Sequence, residues 1–172
     1  MLRIEPIPAF EDNYIWLLGD ALGRDDRATV VDPGDAEPVI ERLRAQGRTL
    51  SAILLTHHHY DHQGGVADLL ACWPDTQVVA PAERRIRQAT LRVDEGDRVA
   101  PSGLDAELQV LAVPGHTASH IAYLADGALV CGDTLFAGGC GRVFDGSFAQ
   151  LAASLRRIAA LPPETLCYCA HE

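Results

Sequence analysis

The sequence predicts a single layered α/β domain over residues 1–172. Three observations predict it: short apolar or alternating runs of strand length, amphipathic helical stretches set between groups of those runs, and no linker, repeat or low-complexity segment between them. A chain of 172 residues that is 48% hydrophobic has enough apolar material for one substantial core.

Residues 4–8, 14–18 and 29–31 are bounded by turn residues and read as strands. The third runs into VVDPGD, where Pro33-Gly34 marks a turn. Asp35 then stands where it can cap a helix with Val39, Ile40 and Leu43 on one face and Gly47 at its stop. Pro38 is tolerated there because first-turn amides have no intrahelical partner. Residues 51–55 form a compact apolar strand, after which Val66, Leu69, Leu70 and Trp73 follow helical spacing up to Pro74. Strands are expected at 77–80, 98–100, 109–113, 120–124 and 128–131. Ser147 and Gln150 make a capping box for a helix whose apolar face is Phe148, Leu151, Leu155 and Ile158, ended by Pro162-Pro163. Residues 165–169 are the last strand.

Composition removes several function classes. The formal net charge of −10 argues against nucleic acid, which needs a basic face. All 14 basic residues are arginine, so lysine Schiff-base chemistry is excluded. MLRIEPIPAF carries Arg3 and Glu5 and no apolar run of signal-peptide length, and no window approaches a membrane span, so no membrane partner is expected. Cys72, Cys131, Cys140, Cys167 and Cys169 are odd in number and irregularly spaced, unlike a secreted disulfide framework, and point to a reducing cytoplasm. Cys167 and Cys169, alternate residues of the last strand, are expected to face one way into a core.

The densest chemistry is LLTHHHYDHQGG, residues 54–65. Residues two apart in extended chain point the same way, so His57 and His59 can converge on one point while Asp61 and His62 face a second. His58 and Tyr60 alternate away, and Gly64-Gly65 lets the chain turn into the next helix. Clustered imidazoles repel when protonated and need partners when neutral, so the pattern points to a metal. Imidazole and carboxylate suit zinc, iron or manganese. Further ligand types stand at the ends of other apolar strands: His116 in VPGHTASH, Asp133 in CGDTLF and His171 in CYCAHE. His120 reads as a supporting group, and Cys140 lacks a dedicated base.

THHHYDH, with VDPG, PGHT, GDTLF and AHE in order, resembles the signature of the metallo-β-lactamase fold superfamily. PAFEDNYIWLL, PGHTASHIAYL and GDTLFAGGCGRVFDG followed by CAHE resemble more narrowly the glyoxalase II (hydroxyacylglutathione hydrolase) family, and the likeness extends along essentially the whole chain. The resemblance implies a four-layer αββα sandwich holding two divalent metal ions, zinc first, with iron or manganese as alternatives. It implies hydrolysis of the thioester S-D-lactoylglutathione to glutathione and D-lactate, the second step of methylglyoxal detoxification. It places His57, His59 and His116 on one metal, Asp61, His62 and His171 on the other, and Asp133 between both, with Asp61 and Asp133 as catalytic carboxylates beside a shared hydroxide. Arg142 and Phe144 are implied glutathione contacts, and a monomer is expected. The family continues past AHE with a tyrosine and a C-terminal helical region, whereas this sequence stops at Glu172. His171 is therefore expected to be poorly anchored. The alternatives are a mononuclear iron persulfide dioxygenase and a metal-binding fragment with little turnover.

Overall fold

A computed structural model describes residues 2–171. In chain order the elements are β1 (Leu2–Ala9), β2 (Asn13–Asp20), β3 (Arg27–Val31), α1 (Glu37–Gln46), β4 (Thr49–Leu54), α2 (Tyr60–Gln63), α3 (Val66–Cys72), β5 (Gln77–Pro81), β6 (Leu91–Val93), β7 (Arg98–Val99), β8 (Leu108–Ala112), β9 (Ile121–Ala125), β10 (Ala128–Gly132), α4 (Phe148–Ala159) and β11 (Leu166–Cys169). They form a six-stranded sheet, ordered β1-β2-β3-β4-β5-β6, and a five-stranded sheet, ordered β11-β10-β9-β8-β7.

The layers follow from the two-residue period of each strand. In and just beyond β4, Ile53 and Leu55 pack with Val39 and Leu43 of α1 and Val66 and Leu69 of α3, while Leu54 points the other way. There it meets Val31 and Val79 of its own sheet and Val110, Tyr123 and Val130 of the other. On the far side of the second sheet, Leu129 and Cys131 pack with Ile158 of α4. The order is helix, sheet, sheet, helix: the expected αββα sandwich. Strands covered on both faces read as continuous apolar runs, which is why residues 52–55 are all fully buried. Tyr123 crosses the sheet interface and donates its hydroxyl to the Leu55 carbonyl at 3.0 Å, so the one polar atom of that ring is satisfied.

Strand direction places the site. β3, β4 and β5 are parallel. β8 and β10 each pair antiparallel with β9, and β10 pairs parallel with β11, so β8, β10 and β11 also share one direction. The segments leaving β3, β4, β8, β10 and β11 therefore emerge at sheet edges where a few residues from each can meet.

Several local expectations are corrected. Asp35 is not the N-cap of α1. That position is Ala36, and Asp35 instead accepts the Glu37 amide at 3.1 Å. β6, short and with two exposed residues, was not expected from the sequence. The Ser147 cap holds, its hydroxyl accepting the Gln150 amide at 3.2 Å, but Phe148 is 81% exposed rather than packed. Cys167 is exposed and Cys169 half-buried, because β11 is the edge strand and leaves much of itself uncovered. Gly64 and Gly65 take ordinary negative φ angles of −58° and −79°. A Cβ at Gly65 would come within 2.6 Å of the Ala36 amide nitrogen and 2.8 Å of the Pro33 carbonyl oxygen, so close backbone approach, not turning, demands glycine there.

Candidate metal centre

β4 runs straight into the histidine motif. Thr56 and His57 form a bend just past it, and His59 sits at the N-cap of α2, a single turn that carries Asp61 and His62. Asp61 and His62 are thus presented from a short helix rather than a loose turn. His116 lies in the loop after β8, Asp133 directly after β10, and His171 just past β11. All these residues come together. His57, His59 and His116 place ligand-type atoms within 4.8 Å of one another, and so do Asp61, His62 and His171.

Asp133 faces both groups. Its Oδ2 is 3.3 Å from His116 Nε2, and its Oδ1 is 3.2 Å from His62 Nε2 and 3.4 Å from His171 Nε2. His59 Nδ1 and His116 Nε2 are 3.0 Å apart. Asn13 donates to Asp61 Oδ2 at 3.2 Å.

The outer nitrogens of these rings are committed, which fixes what the inner ones present. Asp32 Oδ2 accepts the Thr56 hydroxyl at 2.7 Å, so the Thr56 oxygen is left to accept from His57 Nδ1 at 3.0 Å. His62 Nδ1 donates to the same Asp32 oxygen at 3.1 Å, His116 Nδ1 to the Arg142 carbonyl at 2.7 Å, and His171 Nδ1 to Asp12 Oδ1 at 3.2 Å. Each of the four imidazoles therefore turns its Nε2 inward, where the neutral ring presents a lone pair. His57 Nε2, His62 Nε2 and Asp133 Oδ1 are buried without a hydrogen-bond partner. Buried polar atoms left this way are costly unless something binds them. The donor set, imidazole nitrogens and carboxylate oxygens with no thiolate, fits a divalent cation of the zinc, iron or manganese kind.

The electrostatics agree. Burial, reinforced by neighbouring imidazoles, pushes His57 well below the ordinary histidine range; burial also lowers His59 and His116. Burial would lower His62 too, but the carboxylates of Asp32, Asp133 and Asp61 around it hold it well above that range. Hydrogen bonds to Asp133 and Asp61 raise His171 to about 10. Burial would raise both carboxyls, yet the adjoining His171 and His62 imidazoles keep Asp61 and Asp133 well below the usual carboxylate range. A cation entering the second group would replace protons there.

Supporting residues complete the picture. His120, pushed down to about 3 by burial, accepts the Asp133 amide through Nε2 at 3.2 Å and stacks on His57 at 4.7 Å. That spends its lone pair and makes it a positioning group, as the sequence suggested. His58 turns away toward Glu83, 4.0 Å distant, and Tyr60 is exposed. His171 is better anchored than expected: Asn13 bridges it, and the Ala170 carbonyl accepts the Tyr14 amide at 2.7 Å. Asp32, Asp12 and Asn13 were not singled out from sequence. Asp32 is 3% exposed, with a φ of 52°.

A cleft of about 320 Å³ opens over these groups, walled by His59, Asp133, Phe136, Arg142 and Phe144. The Phe144 ring stands 4.8 Å from that of His59 and 5.2 Å from that of His116, and its amide donates to the His116 carbonyl at 2.9 Å. Arg142 is exposed at the rim. Cys140 is exposed nearby.

An αββα sandwich carrying this histidine and aspartate cluster at its strand ends defines a class. The chain belongs to the metallo-beta-lactamase superfamily, whose profile matches residues 10–171. It is 56% identical over 172 residues to a hydroxyacylglutathione hydrolase of Dechloromonas aromatica, covering all of this chain and 62% of that protein. Among solved structures it resembles ETHE1 from Myxococcus xanthus (TM-score 0.82, 31% identity, 100% of this chain and 76% of that one). It also resembles TTHA1623, solved in a di-iron-bound form (TM-score 0.81, 30% identity, 98% of this chain and 92% of that one). The chain spans 62% to 66% of the length of the curated relatives it matches.

Proposed function

We propose that this protein hydrolyses a glutathione thioester, S-D-lactoylglutathione, to glutathione and D-lactate with two bound divalent metal ions. The observation that carries the reading is the convergence of two ligand groups on one carboxylate, with His57 Nε2, His62 Nε2 and Asp133 Oδ1 buried there and otherwise unpartnered. The name of the Dechloromonas relative supports the substrate class, and the di-iron form of TTHA1623 supports two ions.

His57, His59 and His116 would hold one ion, Asp61, His62 and His171 the other, and Asp133 would lie between. Zinc is the first candidate, with iron and manganese accepted by the same donors. Bound there, the ions would polarise the thioester carbonyl and acidify the attacking water. The chain's own residues do the rest. Asp61, steadied by Asn13, offers a carboxylate oxygen to orient that water. Phe144 and Arg142 wall the cleft on the His59 and His116 side, where Phe144 packs against the substrate and Arg142 pairs with a glutathione carboxylate. The thiolate departs without a dedicated acid, since a thiol pKa is about 8.5. No serine or cysteine nucleophile is needed. The five free cysteines suit a reducing cytoplasm, and no helix among the described residues is long and apolar enough to cross a membrane.

The test is loss of thioester absorbance with D-lactate appearing, on protein loaded with zinc. The expected result is turnover far above the same zinc without protein. A rate equal to that background, or oxygen uptake with glutathione persulfide in its place, would overturn the reading. The dioxygenase alternative is not favoured, because the curated relatives matched at 49% to 56% identity are named as hydrolases.

A further inference from the structure

β10 and β11 each deliver a site residue two positions past a cysteine, as Cys131-Gly132-Asp133 and Cys169-Ala170-His171. The strands are parallel neighbours, paired Val130 with Tyr168 and Gly132 with Cys169, and the register shifts between Val130 and Gly132. Cys131 is the extra residue in that irregularity, so it has no cross-strand partner of its own. Its side chain joins Cys169 in the apolar cluster under α4. Cys169 is paired with Gly132, the residue next to Cys131, and both thiols lie on the face of the sheet that α4 covers. Cys131 Sγ also lies 3.5 Å from the Leu135 carbonyl and 3.7 Å from that of Tyr168. Cys131 is fully buried, while Cys169 is half-buried on the open edge of the sheet.

We propose that Cys131 and Cys169 form a reversible disulfide when the protein meets a low-molecular-weight disulfide, stapling together the two strands that carry Asp133 and His171. Neighbouring strands lie about 4.8 Å apart and a residue rises about 3.3 Å, so two cysteines one residue out of register are roughly 5.8 Å apart, within the roughly 4.4 to 6.8 Å between Cα atoms that a disulfide spans. Cys169, the accessible thiol, attacks first as thiolate. Its sulfur bonds to one sulfur of the oxidant, the oxidant's own S–S bond breaks, and one small thiolate leaves. Cys131, giving its proton to solvent, then attacks the Cys169 sulfur. The mixed disulfide breaks, the protein S–S bond forms, and the second small thiolate leaves. Two protein thiols are oxidised by two electrons, one small disulfide is reduced to two thiols, and the two protons end on those thiols. With β11 tied to β10, His171 keeps its place beside Asp133 when the edge strand opens.

The experiment treats zinc-loaded protein with oxidised glutathione, blocks remaining thiols with an alkylating agent, and maps the non-reduced digest by fragmentation. The expected result is a Cys131–Cys169 link that dithiothreitol removes, with Cys72, Cys140 and Cys167 either free or carrying glutathione alone. Cys131→Ala should stop at a glutathione adduct on Cys169. Because Cys131 is fully buried, Cys169→Ser at the half-buried end is the second variant, and it should give no internal link. Zinc release to a chelator should be slower from the oxidised wild type than from the reduced form, and unchanged by oxidant in Cys169→Ser. A link that uses Cys167, adducts on the exposed cysteines with Cys131 and Cys169 still open to alkylation after denaturation, or equal release from the two forms would overturn the proposal.

Discussion

Asp32→Asn is predicted to spoil metal binding without removing a single ligand. Asp32 accepts three hydrogen bonds, from the Thr56 amide at 2.8 Å, the Thr56 hydroxyl at 2.7 Å and His62 Nδ1 at 3.1 Å. An asparagine keeps the shape and one acceptor oxygen. With that oxygen on the Thr56 amide, its NH₂ faces the Thr56 hydroxyl and His62. Thr56 must then turn to accept, and its hydrogen points at His57 Nδ1. Both rings are driven to the other tautomer, so His57 and His62 carry a proton on the inward Nε2 instead of a lone pair. Losing an outer partner of this kind costs about 10- to 100-fold in metal affinity, or roughly 1.4 to 2.8 kcal/mol. Asp32→Ala is harsher, since it leaves an amide, a hydroxyl and an imidazole unpaired in a residue environment only 3% exposed. Breaking a buried charged network costs about 3 to 5 kcal/mol, a large share of a total stability of about 5 to 15. Chelator competition reads the affinity, urea unfolding reads the stability, and ¹⁵N shifts of the imidazoles read the tautomers. Wild-type zinc affinity in a folded Asp32→Asn variant would refute the reasoning.

Three further outcomes are expected. Gly34→Ala puts a Cβ 1.9 Å from the Asp61 carbonyl oxygen, so α2 must move; stability should fall by about 1 to 3 kcal/mol and zinc retention with it, checked by urea unfolding and elemental analysis. Phe144→Ala removes a ring that is 62% exposed, so stability should change by no more than about 0.5 kcal/mol while KM for the glutathione thioester rises several-fold in steady-state kinetics. Hydrogen bonds from Arg85, partly opposed by burial, lower Glu83 to about 2. A carboxylate lowered on folding stabilises the protein above its unfolded pKa, about 4.3, and that contribution is lost as pH falls toward 2. Glu83→Gln should therefore lower the urea midpoint at pH 7, and the gap to wild type should close on acidification; a gap that widened would contradict the assignment.

The fold was largely legible because strands covered on both faces must be continuously apolar, and residues 52–55 and 128–131 are. The ligand set was legible because residues of one chemical type recur at strand ends, and that same rule applied to VVDPGD would have found Asp32. Its aspartate was passed over for the turn beside it. Asp12 and Asn13 left no such signal: Asp12 sits in the tight connection between β1 and β2, Asn13 opens β2, and only the fold brings them to Asp61 and His171. Exposure at the edge was invisible for a similar reason. Nothing in LCYC says that β11 is paired on one side alone, and nothing in the Phe148 side chain says that its end of α4 is uncovered.

The central claim is that Asp133 joins two ligand groups into one two-ion centre. Elemental analysis of zinc-loaded protein, wild type and Asp133→Ala, each assayed on S-D-lactoylglutathione, tests it most directly. Two zinc ions per chain and steady turnover are predicted for the wild type, with one or fewer and no turnover for the variant. A wild type that saturates at one zinc, or an Asp133→Ala variant that keeps two and turns over normally, would contradict it.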